Sequence, residues 1–142
     1  MASDDGATVV LPAMLRASRG AYARSIRRHL VASGFDDVPP DGAFVLGGMA
    51  NQAAPLPGLL RELGIGEEAA TRLVDALLVR GYLERAPEIG LTGRGRAAAA
   101  EVRAGVVAVD EELAGMITPA ELAGLRAGLV ALCDIRDRLE AE

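Results

Sequence analysis

Thr71-Arg72-Leu73-Val74-Asp75-Ala76-Leu77-Leu78-Val79-Arg80-Gly81-Tyr82-Leu83-Glu84-Arg85, followed closely by Leu91-Thr92-Gly93-Arg94-Gly95-Arg96, decides how this chain folds. Leu73, Val74 and Leu77 share one helical face with Ala70, so the first part reads as an amphipathic helix over Glu67 to Arg80. Gly81 is its stop signal. Tyr82 to Arg85 and Ile89 to Leu91 then read as two short strands around Ala86-Pro87-Glu88, and Thr92 stands where a cap begins a further helix. A helix, a two-stranded wing and a second helix follow in that order.

Working outward, Pro55 and Pro57 open a short helix through Leu63, and Gly64-Ile65-Gly66 supplies the tight turn of a helix-turn-helix. Upstream, Leu11, Leu15, Tyr22, Ile26 and Leu30 recur at helical spacing between Val9 and Ser33, with Gly34 as the stop. The turn Asp36-Asp37-Val38-Pro39-Pro40-Asp41 is expected to cap a second helix from Pro39 to Gln52, with Phe44, Val45 and Met49 inward. Its adjacent Gly47 and Gly48 each cost about 1 kcal/mol relative to alanine, so something must offset them. Downstream, the helix capped by Thr92 runs to about Met116, and Thr118-Pro119-Ala120-Glu121 begins the last one with a capping box. There Leu122, Leu125, Leu129, Leu132 and Leu139 form an apolar stripe that must pack within the protomer or against a second copy. Met1 to Thr8 reads as a frayed, flexible N-terminus. The expected fold class is mainly α with a small two-stranded β wing, as one domain.

Composition narrows the chemistry. The chain has 142 residues, 51% of them hydrophobic, which suffices for one real core. All 15 basic residues are arginine; with no lysine, neither a Schiff base nor a P-loop is available. One His and one Cys exclude His- or Cys-rich metal sites, and no calcium loop or cofactor fingerprint is present, so no metal and no cofactor are expected. A lone Cys133, no signal peptide and no apolar run near the roughly 20 residues of a membrane span point to a soluble, cytoplasmic protein. The net charge of −5 is unevenly spread: residues 9–33 carry five Arg and no acid, residues 36–100 nine acids and six Arg, and residues 101–142 nine acids and four Arg.

The quoted segments resemble the second helix, the wing and the start of the next helix in the winged helix-turn-helix regulators of the MarR family. The resemblance covers most of the chain. It implies an intertwined homodimer, with residues 9–34 and 101–142 as dimerisation helices and residues 35–100 as the winged helix-turn-helix region. It further implies that helix Glu67–Arg80 enters the major groove of double-stranded DNA, and that a small, commonly aromatic or anionic ligand binds between the dimerisation helices and the winged region. Carried onto this sequence, Thr71 and Arg72 are the groove-facing residues and Arg85 is the wing residue. The remaining outward positions are Glu68, Ala69, Asp75, Ala76 and Val79. Family wings have a longer loop with several arginines; here Arg85 alone is basic near the tip.

A candidate ligand site follows from the first helix, where Ser18, Tyr22, Ser25 and His29 succeed one another at steps of four, three and four on the apolar side. With Gly47 and Gly48 removing volume opposite, a pocket lined by Ser18, Tyr22, Ser25, His29, Phe44 and Met49, with Asn51 or Gln52 at its edge, is expected. The local alternative is that the serines bond carbonyls of the preceding turn, while Tyr22 and His29 reach polar groups at a helix interface. His29 is the one ready general acid or base, and a Cys133–His29 pair is conceivable, but Cys133 lies on the leucine stripe and reads as a small buried hydrophobe. No catalytic motif appears, so no enzyme is expected. Two functions remain: a ligand-responsive homodimeric DNA-binding regulator, and a MarR-like fold that has lost DNA and binds, or transforms, a small molecule. A protein-interaction module, favoured by charge asymmetry alone, ranks third.

Overall fold

The computed structural model describes residues 4–142, with side chains from residue 10 onward. Among these residues the order is α1 (Asp4–Ala32), α2 (Gly42–Ala50), α3 (Leu56–Leu63), α4 (Glu67–Val79), β1 (Leu83–Arg85), β2 (Ile89–Leu91), α5 (Gly93–Met116) and α6 (Pro119–Glu140). The flexible N-terminus expected over Met1–Thr8 lies, for residues 1–3, outside the described residues, and α1 starts at Asp4. No described helix is long and apolar enough to cross a membrane.

The chain forms two compact units, Met1–Val107 and Ala108–Glu142, with the boundary inside α5. In the first unit Leu30 of α1, Val38, Val45 and Leu46 of α2, Leu73 and Leu77 of α4, Tyr82, Leu83, and Ala98, Ala99 and Val102 of α5 make one core. The helix-turn-helix is closed by Gly64, whose φ of 68° is open to glycine at no steric cost, and Gly81 (φ 83°) ends α4 in the same way. The wing is antiparallel, pairing Leu83 with Leu91, Glu84 with Gly90 and Arg85 with Ile89. Thr92 caps α5: its hydroxyl accepts from the Gly95 amide at 2.9 Å and donates to the Gly81 carbonyl at 2.5 Å, so one side chain joins the end of α4 to the start of α5.

Two expectations for α2 change. Asp41 precedes it in a left-handed conformation (φ 68°) and makes no side-chain cap, so the helix starts at Gly42 rather than Pro39. Gly47 and Gly48 do not open space toward α1. A Cβ on Gly47 would lie 3.3 Å from Val102 of α5, and one on Gly48 would lie 2.6 Å from Leu59 of α3. The pair therefore allows close packing, and burial of its neighbours offsets its helix-propensity cost.

Small residues also face inward along α5, where Gly95, Ala98, Ala99, Val102 and Gly105 are buried. In the second unit, α6 begins with the expected capping box, Thr118 and Glu121 exchanging side-chain bonds to each other's amides at 2.9 and 3.1 Å. None of its residues is buried within the single chain: Leu125, Leu129, Leu132, Ile135 and Leu139 are each 40% exposed or more. Cys133, expected to be buried on that stripe, is exposed in the single chain because the stripe itself is.

Candidate functional site

Helix α4 shows its two faces cleanly. Leu73, Val74 and Leu77 are buried, while Glu68, Thr71, Arg72, Asp75 and Val79 are exposed; Ala69 and Ala76, expected outward, are half-buried. Thr71 and Arg72 thus stand side by side in solvent, and Arg85 is exposed on β1 of the wing. The electrostatics are mixed. The Arg72 guanidinium lies 3.9 Å from the Glu68 carboxylate one turn earlier, an exposed pair worth a few tenths of a kcal/mol. Glu67 and Glu68 sit in the first turn, where carboxylates favour the helix dipole and disfavour phosphate.

Along α1, the four polar residues do different things. Ser18 is exposed and donates to the Leu15 carbonyl of its own helix at 3.0 Å. Ser25 donates across to the Gly105 carbonyl of α5 at 2.7 Å. That reach is possible because Gly105 lets α1 come close: a Cβ there would stand 2.7 Å from the Ile26 Cα. His29 donates through Nδ1 to the Ser25 carbonyl at 2.9 Å. Tyr22 is half-buried on the same helix. On α2, Phe44 is 46% exposed and Met49 packs against the core. Ser25 and His29 are brought together, then, while Ser18 turns to its own turn and Met49 is spent on packing. A shallow groove further up α1, lined by Pro12, Ala13, Arg16 and Ala17, includes none of the six.

A cluster that the sequence reading missed lies at the exit of α4. Tyr82 is fully buried, and its hydroxyl donates to Asp37 Oδ1 in the loop between α1 and α2. Arg94, in the first turn of α5, donates through Nη2 to the same oxygen at 3.0 Å and to the Tyr82 hydroxyl at 3.0 Å, and through Nε to the Arg80 carbonyl at 3.2 Å. Arg80 in turn donates to the Asp37 carbonyl at 2.7 Å. The Arg94 guanidinium lies 4.5 Å from the Tyr82 ring centroid and 5.3 Å from that of Phe35, and the two rings meet edge to face at 6.1 Å. The hydrogen bond from Tyr82 and the Arg94 charge hold the Asp37 carboxyl below its usual range, against a partial desolvation that raises it. Burial, then the bond to Asp37, pushes the Tyr82 phenol up to about 12. The available signal was the position of a tyrosine directly after the glycine stop, since a buried phenol requires a polar partner.

No protein-family model and no curated protein matches the chain. Solved structures do. The chain is similar to ligand-free NadR (17% identity, 92% of this chain and 98% of that one, TM-score 0.75) and to the transcriptional repressor CouR bound to p-coumaroyl-CoA (20%, 89% and 93%, TM-score 0.69). It is also similar to the MarR family protein Rv2887 of Mycobacterium tuberculosis in complex with DNA (24%, 86% and 96%, TM-score 0.59). The fold is accordingly the MarR-like winged helix-turn-helix that the sequence predicted.

Proposed function

We propose that the chain is a ligand-responsive transcriptional regulator that binds double-stranded DNA as a homodimer. The observation that carries this reading is an α4 whose apolar side is locked into the core while Thr71 and Arg72 are left in solvent beside a wing bearing Arg85. It is supported by the similarity to proteins solved with DNA, with salicylic acid and with p-coumaroyl-CoA. In the proposed mechanism α4 enters the major groove with Arg72 toward a guanine edge and Thr71 toward a phosphate or a thymine methyl, while Arg85 meets the backbone from the wing. A small, aromatic or anionic ligand beside Ser18, Tyr22, Ser25, His29, Phe44 and Met49 then favours a spacing of the two α4 helices that no longer matches successive grooves.

The partner is a second copy, because α6 leaves a leucine stripe in water within the single chain. Leu129→Asp is expected to convert the protein to monomers in sedimentation velocity; an unchanged mass would remove the dimer from the proposal.

A second reading, a MarR-like fold that has given up DNA and keeps a ligand site, is favoured by Glu67, Glu68 and Asp75 on α4 and by Glu84 and Glu88 in the wing. A mobility-shift titration across salt concentrations separates the two, using duplex from immediately upstream of the chain's own coding sequence and random duplex. The regulator binds the upstream duplex with a steep salt dependence, and Arg72→Ala weakens it by about 1 to 3 kcal/mol. Absence of binding at low salt, together with a rise in melting temperature with salicylate, favours the second reading.

A further inference from the structure

We propose that Asp37, Arg80 and Arg94 are positioning residues for DNA reading, anchoring the C-terminal end of α4 to the loop that follows α1 without themselves touching DNA. This rests on the reading of α4 as the recognition helix. The polar ties of α4 are concentrated at its C-terminal end: its N-cap, Gly66, offers no side chain, whereas three bonds hold residues 80 and 81. The Arg80 side chain reaches the Asp37 carbonyl, the Arg80 carbonyl receives Arg94 Nε, and the Gly81 carbonyl receives the Thr92 hydroxyl. Arg94 commits its Nε and Nη2 within the cluster, and Phe35 and Tyr82 lie against its guanidinium.

Leverage makes the anchor matter. Helix α4 has 13 residues, and a tilt of roughly 10° about its C-terminal end would carry Thr71 and Arg72, roughly 10 to 12 Å from that end, by about 2 Å. That displacement is the difference between a bidentate base contact and none.

The test compares wild type, Asp37→Asn and Arg94→Met in two measurements: binding to the upstream duplex across salt concentrations, and amide hydrogen exchange along α4 and α5. Asp37→Asn removes a negative charge, so a purely electrostatic role makes binding tighter; the positioning role makes it roughly tenfold weaker. The expected result for both variants is weaker binding, a slope of log affinity on log salt equal to that of wild type, and faster exchange confined to residues 77–82. Unchanged or tighter binding by Asp37→Asn overturns the proposal, as does unaltered exchange at the end of α4. A slope reduced by nearly one unit in Arg94→Met overturns it as well, because Arg94 would then be a phosphate contact. Should Arg94→Met fail to fold, Arg80→Met, which removes the bond to the Asp37 main-chain carbonyl, decides by the exchange at residues 77–82. Wild type that binds no duplex removes the DNA reading and the positioning role together, whereas wild-type binding with unaltered exchange removes only the latter.

Discussion

Gly95→Ala is expected to lower stability by about 3 kcal/mol, near the upper end of the usual cost of overpacking a core. Gly95 lies beneath the wing root, and a Cβ built on it would stand 2.1 Å from the carbonyl oxygen of Tyr82 and 3.1 Å from a Leu91 methyl. The methyl can turn aside, but the carbonyl cannot: it accepts the Thr92 amide at 3.2 Å and belongs to a residue that is fully buried. Relief requires α5 to back away from the hairpin, which also breaks the Gly95 amide bond to Thr92. Gly93, in the same turn, has nothing within 4 Å of the same construction, so Gly93→Ala serves as the control and should be neutral or slightly stabilising. For a chain of this size 3 kcal/mol corresponds to a fall of about 10 °C in melting temperature, read by circular dichroism. Equal melting of the two variants would show that the helix and the wing root do not approach this closely.

The wing and both helices beside it were legible because their signals are local. Leu73, Val74 and Leu77 fix the buried face of α4 by spacing alone, Gly81 stops it where a left-handed residue is needed, and Thr92 caps α5 at the residue where a capping side chain was read. The α2 reading ran long because nothing nearby announces that Asp41 adopts a positive φ, which delays the helix beyond both prolines. Gly47 and Gly48 were recognised as needing an explanation, but which neighbour they admit depends on how α2 lies against α3 and α5. Periodicity carries no information about that. The Asp37, Tyr82 and Arg94 cluster joins residues 45 and 57 positions apart, so it had no local pattern to betray it. Of the α1 stripe, Tyr22, Ser25 and His29 are half-buried, while Ser18 is exposed together with Leu11 and Met14. Ser18 does what the local alternative gives a serine, donating to its own preceding turn at 3.0 Å, whereas Ser25 reaches across to α5 at 2.7 Å and His29 turns back to the Ser25 carbonyl at 2.9 Å.

Alkaline unfolding should report directly on Tyr82. Its phenol is raised from 10.0 to about 12 in the folded protein, first by burial and then by the bond to Asp37, so the folded state holds this proton more tightly than the unfolded chain does. The stabilisation is therefore fully present below pH 10 and is lost as pH rises from there through 12, amounting to about 2 to 3 kcal/mol over that window. Tyr82→Phe removes the step. At neutral pH that variant forfeits the hydrogen bond and leaves Asp37 with Arg94 alone, a cost of about 1 kcal/mol. Wild type, about 1 kcal/mol the more stable at neutral pH, should then fall below the variant, so that their urea midpoints cross between pH 10 and 12; the difference between them isolates Tyr82 because Tyr22, Cys133 and every arginine are common to both. The acid limb has the opposite sense: Asp37 is depressed in the folded state, so its contribution is intact above the ordinary carboxylate range and is lost as pH falls through the lowered value. Asp37→Asn should flatten that limb and leave the alkaline step smaller, since burial alone continues to hold the phenol up. Curves for wild type and Tyr82→Phe that stay parallel to pH 12 would mean that the phenol is not sealed between Asp37 and Arg94.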